Sequence, residues 1–191
     1  VLALSLLLGI QPVTTDLYLP ALPGLTTALG APVSQAQLTL SAMLLAFGIS
    51  QLVWGPLSDR FGRRPILLAG LAAYTAAALG GALAPSMEAL VAWRTLQGAA
   101  MGAAVMGARA IVRDLLSGAE GARLMSKGMS GLGLIAVLSP PLGGVLAQVA
   151  GWRGAMLGPV AFGAMALAIV AWRFEETLPP QRRAPLHPAA L

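Results

Sequence analysis

Six stretches of mostly apolar residues follow one another with only short breaks, at about 1–23, 35–57, 65–84, 88–110, 128–148 and 152–173. Each is close to the roughly 20 residues at which a helix crosses a hydrocarbon core about 30 Å thick. In lipid a spanning segment must satisfy its own backbone, which leaves only helices and closed barrels. A barrel strand would alternate over about ten residues, and runs such as 66–83 do not alternate. The expected fold class is therefore an all-α membrane protein, with a six-helix transmembrane bundle over 1–174 and a polar linker or tail over 175–191. Composition points the same way. Only 10% of residues are charged, against roughly 25% in a soluble domain.

The few charges are distributed unevenly. Arg60, Arg63 and Arg64 lie between the second and third runs, Arg113, Arg123 and Lys127 between the fourth and fifth, and Arg173, Arg182 and Arg183 at or after the sixth. Residues 24–34 carry no charge, the third connection offers Glu88 and the fifth Arg153. The positive-inside rule then predicts cytoplasmic basic loops and both termini on the cytoplasmic side. The same spread argues against nucleic acid as the partner of the +5 net charge. Without cysteine, neither a disulfide framework nor a thiolate metal site is possible. His187 stands alone in a Pro-rich tail, so no catalytic constellation, metal site or cofactor is expected. No basic leader precedes the first apolar run, so a cleavable signal peptide is not expected, and the missing initiator Met suggests lost upstream residues.

The most specific string is the turn between the second and third runs, Gly55-Pro-Leu-Ser-Asp59-Arg60-Phe-Gly62-Arg63-Arg64-Pro65. Gly55 would allow close helix approach, Gly62 a tight turn, and Pro65 suits the start of a helix. A solvated basic turn accounts for the arginines but not for the acid, the glycines or their spacing. Here the chain resembles the major facilitator superfamily, whose cytoplasmic motif Gly-x-Leu-x-Asp-Arg-x-Gly-Arg-Arg is matched by Gly55, Leu57, Asp59, Arg60, Gly62, Arg63 and Arg64. The resemblance implies the N-terminal six-helix half of a twelve-helix transporter, built from nested three-plus-three inverted repeats. It also implies a conformational latch at this loop. Asp114, beside Arg113 at the cytoplasmic end of the fourth run, resembles the family's partner for the loop arginines, the alternative being a surface acid.

Asp16 and Arg94 sit inside apolar runs, where an ionised side chain costs at least about 2.5 kcal/mol at the centre of a spanning helix. With outer boundaries near Pro23 and Glu88, both lie roughly 10 Å deep, so an ion pair between them is geometrically possible. The alternatives are a carboxylate capping a frayed helix near the membrane edge and an arginine snorkelling to the outer interface. Asp16-Leu-Tyr18-Leu-Pro20-Ala-Leu-Pro23, Gln51 before Gly55-Pro56, Arg94-x-x-Gln97-Gly98 and Arg109-Ala-Ile-Val-Arg113-Asp114 resemble the drug:proton antiporters of the bicyclomycin-resistance (Bcr/CflA) type. That resemblance implies multidrug efflux coupled to a proton gradient, with Asp16 as the proton carrier and Arg94 as its charge partner. The setting it implies is the bacterial cytoplasmic (inner) membrane.

Gln11, Thr14, Thr15 and Tyr18 follow i, i+3, i+4, i+7 spacing and form one polar stripe, which either lines a substrate cavity, with Gln97 as a further candidate, or packs against another helix. Asp16 falls off that stripe on an ideal helix, yet Pro12 and Pro20 can bend the chain, so its direction stays open. Ser139-Pro140-Pro141-Leu-Gly143-Gly144 resembles the antiporter motif Gly-x-x-x-Gly-Pro-x-x-Gly-Gly at Pro140, Gly143 and Gly144, with Ile135 and Ser139 replacing its first two glycines. A kink with close packing is expected there. Finally, Gly55, Leu57, Gly62 and Arg64 recur as Gly144, Leu146, Gly151 and Arg153 at one constant offset, an echo that inverted repeats predict. The functional expectation is proton-coupled efflux of small amphipathic compounds, acting with a missing C-terminal half or a second copy. The alternatives are a metabolite carrier (sugar, organic acid or amino-acid type) and a truncated fragment that does not transport.

Overall fold

The computed structural model describes residues 2–179, 181 and 183, so that Arg182, His187 and most of the tail lie outside the described residues. Within them the chain is helical: α1 (Leu2–Thr15), a 3-10 turn (Leu19–Ala21), α2 (Leu22–Leu29), α3 (Val33–Phe61), α4 (Arg63–Ala82), α5 (Met87–Leu115) and α6 (Gly118–Arg173). No strand occurs among the described residues. Among the described residues, four stretches are both long and apolar enough to cross a membrane: Leu2–Leu29, Val33–Phe61, Arg63–Ala82 and Gly118–Arg173.

The first apolar run is not one continuous helix. α1 stops at Thr15 and the chain resumes through the 3-10 turn and α2. Pro20 explains the break: it has no N–H to return to the carbonyl of Asp16, and its ring crowds that carbonyl. The prolines of the fifth run do not break their helix. Pro140 and Pro141 sit inside α6 without interrupting it, and the one non-helical residue in its 56 is Gly151, at φ 68° and ψ −173°. Gly151 divides α6 into a first leg, 118–150, and a second leg, 152–173.

α3 packs along α5, α1 along α6, and α4 lies against both α5 and α6. α5 contacts four other helices, α1, α3, α4 and α6, which is why it tolerates small and polar residues where its neighbours need lipophilic ones. Two glycines set the closest approaches. A β-carbon on Gly98 would overlap the backbone carbonyl of Met43, and one on Gly143 that of Leu17. Side chains there would push α5 off α3, or α6 off the end of α1. Gly144 and Gly55 have no such role: a β-carbon on Gly144 meets nothing, and one on Gly55 reaches Met106 at an ordinary 3.6 Å. Burial is uneven. About 67% of the apolar window of Leu2–Leu29 is buried against 11% in Val33–Phe61, so the first stretch is interior and α3 presents Leu45, Ile49 and Leu52 outward.

Candidate functional site

The charged turn builds a compact cluster at the junction of α3, α4 and α5. Gly62 ends α3 at φ 101°, a conformation that L side chains rarely adopt, and the chain reverses into α4 within one residue. This turn buries Arg63 to 3% exposure. Its Nε donates to Asp114 Oδ2 at 2.7 Å, and its Nη1 lies 2.6 Å from Asp59 Oδ1 and donates to Ser58 Oγ at 3.1 Å. One guanidinium thus ties three helices together. The first backbone amides of α4 are also satisfied: Arg63 N–H and Arg64 N–H donate to the two carboxylate oxygens of Glu176, at 2.9 and 3.3 Å. An anion belongs at a helix N-terminus, where unpaired N–H groups and the positive dipole end converge.

Of the expected latch residues, Asp59, Gly62, Arg63 and Asp114 meet here. Arg64 turns away and donates from Nη2 to the carbonyl of Ala171 at 2.9 Å. Arg60 lies over the ring of its neighbour Phe61 at 5.3 Å. Arg113 is exposed and makes no ion pair among the described residues. Glu176 escapes sequence reasoning, which places it at the start of a linker. Nothing in a Glu-Glu pair after a helix says that it folds back onto the amides of a helix more than a hundred residues earlier.

The second cluster lies between the helices. Arg94 is fully buried on α5, yet no ion pair joins it to Asp16. Its Nη1 donates to Gln97 Oε1 and its Nη2 to the backbone carbonyl of Thr14, both at 3.0 Å. Its guanidinium lies 4.4 Å from the centre of the Tyr18 ring. The Thr14 carbonyl is available because α1 ends one residue later, and the last carbonyls of a helix carry its negative dipole end. A helix end, an amide and an aromatic face therefore replace the expected carboxylate. Asp16, half-buried, instead accepts from the neighbouring Thr15 Oγ at 2.7 Å.

The polar stripe divides accordingly. Thr14 and Tyr18 are wholly buried, with Thr14 Oγ 2.6 Å from Tyr74 Oη and Tyr18 Oη 2.9 Å from Thr39 Oγ. They pack against α4 and α3, as Gln97 does against Arg94, and none of the three faces an open surface. Gln11 and Thr15 remain half-exposed. Tyr74 and Thr39 also escape sequence reasoning, because a lone hydroxyl in an apolar run gives no sign of its partner.

The profile of the Major Facilitator Superfamily matches residues 4–190. The chain belongs to the major facilitator superfamily. A chloramphenicol resistance protein of Pseudomonas aeruginosa is 40% identical over 161 residues, covering 83% of this chain and 38% of the relative. A bicyclomycin resistance protein homolog of Haemophilus influenzae is 30% identical over 97% of this chain and 47% of its own length. Among solved structures, the human organic anion transporter MFSD10 (TETRAN) superposes with a TM-score of 0.73 at 28% identity, over 96% of this chain and 49% of that one. The resemblance drawn from the Gly55–Arg64 string is thus borne out. This major facilitator chain spans less than half the length of these two curated relatives.

Proposed function

We propose that this chain is the N-terminal, six-span half of a proton-coupled exporter of small amphipathic compounds, with both termini cytoplasmic in a bacterial inner membrane. Drug resistance in the names of its relatives supports the substrate class. The six spans are Leu2–Leu29, α3, α4, α5 and the two legs of α6. The offset of the sequence echo carries α3, Gly62 and α4 onto the first leg, Gly151 and the second leg, which supports three-plus-three inverted repeats. The other half of the pathway is a C-terminal six-helix bundle or a second copy of this chain.

The observation that carries the reading is Arg94: a buried cation without a carboxylate, held at the broken end of α1 by the Thr14 carbonyl, two residues from Asp16 along the chain. Residues 16–18 are non-helical, so a modest rotation there moves the Asp16 carboxylate relative to Arg94. Approach of the cation favours the ionised carboxylate and releases the proton. Withdrawal lets Asp16 reload it. Rocking of the bundle halves would supply the movement, with the Asp59–Arg63–Asp114 cluster breaking and reforming at the cytoplasmic end. Energy comes from the proton gradient, and no cofactor takes part.

The test is pH-driven ethidium accumulation in inverted vesicles, with this chain alone and fused to the second half of the chloramphenicol resistance relative. Gradient-dependent transport that disappears in Asp16→Asn is the expected result. Transport that keeps its pH dependence in that variant would remove Asp16 from the mechanism. Uptake of sugars or organic acids instead of ethidium would favour a metabolite carrier, and inactivity of both proteins a non-transporting fragment.

A further inference from the structure

Arg153 is the exception to the charge asymmetry, a basic residue in a connection that the positive-inside rule keeps free of base. Its contacts give it a reason to be there. Its Nη2 donates to the carbonyl of Ala84, just past the end of α4, at 3.1 Å. At the opposite end of the same helix pair, Arg64 donates to Ala171, near the end of the second leg, at 2.9 Å. Each arginine stands two residues after a positive-φ glycine, Gly62 or Gly151. Each opens one helix and reaches the terminal carbonyls of the other, where unpaired oxygens and the negative dipole end favour a cation. The two helices are antiparallel, since each one's start meets the other's end.

We propose that Arg64 and Arg153 are matching end-clamps that lock α4 and the second leg of α6 into one rigid body. Between the clamps the helices are closely interleaved. A β-carbon on Gly81 would press on Met156, and one on Gly163 on Tyr74 and Thr75. That packing fixes their separation, while the clamps prevent sliding and splaying at the ends. Arg153 is pre-set for this: its guanidinium lies 4.2 Å from the centre of the Trp152 ring, and Trp152 is buried in the same core as Ala82 and Ala84. When the Asp59–Arg63–Asp114 cluster opens, the clamped pair then moves as a unit.

The chain has no cysteine, so paired spin labels can be placed without a background. One pair, at Leu83 and Leu157, reads the outer end of the two helices, and a second, at Ala69 and Trp172, the inner end. All four positions are exposed. In lipid vesicles carrying the full chain, both distance distributions are expected to be narrow. Arg153→Ala broadens the outer distribution alone, Arg64→Ala the inner one alone, and Arg153→Lys, which keeps a donor, restores the narrow outer distribution. If Arg153→Ala fails to reconstitute, Arg153→Gln makes the same outer-end test. An outer distribution unchanged by loss of Arg153, or equal broadening at both ends from either change, overturns the proposal. The readout needs the bundle to insert but not to transport, so inactive vesicles count against the proposed function and leave this result standing.

Discussion

Arg63 and Arg94 are both almost wholly buried, at 3% and 0% exposure, but they are neutralised in opposite ways. Arg63 is held by two carboxylates from two other helices. Arg94 has none, and rests on a helix end, an amide and an aromatic ring. The first arrangement is a closed electrostatic unit whose parts are costly to separate. The second leaves a cation with unspent attraction, and Arg94 Nε and Gln97 Nε2 have no partner among the described residues. On the function proposed above, the bundle holds one end shut and moves a charge elsewhere, and it needs both kinds.

The contrast is broken most directly by making the same substitution at both sites. Arg63→Met leaves the Asp114 carboxylate, 15% exposed, facing an apolar side chain. Removing one partner of a buried pair typically costs about 3–5 kcal/mol. Asp59, at 44% exposure, is partly solvated and adds little to that loss. Thermal unfolding of the purified protein is expected to show a larger decrease for Arg63→Met than for changes at Glu176 or Arg94. Stability close to that of the parent would mean that the cluster contributes little to holding α3, α4 and α5 together.

A smaller effect is expected from Glu176→Gln. The amide keeps an acceptor for Arg63 N–H or Arg64 N–H, but loses the charge that complements the α4 N-terminus and its contact with Arg183, 4.0 Å away. A charge at a partly buried helix end is worth about 1 kcal/mol. Hydrogen exchange at the first amides of α4 should rise while exchange in α5 stays constant. Unchanged exchange at 63–64 would show that the helix start is held without Glu176.

What the sequence disclosed and what it concealed follow the same division. Asp59, Gly62, Arg63 and Asp114 were legible because acid, base and turn residue are side-chain properties written within a short span. The surroundings of Arg94 were not, because its main partner is the Thr14 carbonyl, and every residue has a carbonyl. Only the helix break frees that one. Pro20 gave a signal for the break, but Pro12, Pro140 and Pro141 gave similar signals and sit within continuous helix. Equal depth made Asp16 the natural partner for Arg94. Depth fixes height along the membrane normal, however, and not direction around a helix that ends one residue before Asp16. The apolar runs located the helical regions readily, since hydropathy needs no knowledge of partners.

The matching change at the second site, Arg94→Met, is expected to alter stability only slightly. The substitution leaves Gln97 Oε1 and the Thr14 carbonyl without a donor, each costing about 1–3 kcal/mol. It also removes a buried cation whose desolvation costs several kcal/mol, and it strands no carboxylate. These terms oppose each other, so unfolding is expected to shift by no more than about 1–2 kcal/mol, well below Arg63→Met, while pH-driven transport is lost. A loss as large as that of Arg63→Met would show that a carboxylate does depend on Arg94. Asp16 is the acid placed to do so, and the ion pair expected from depth alone would then be a state that this protein visits.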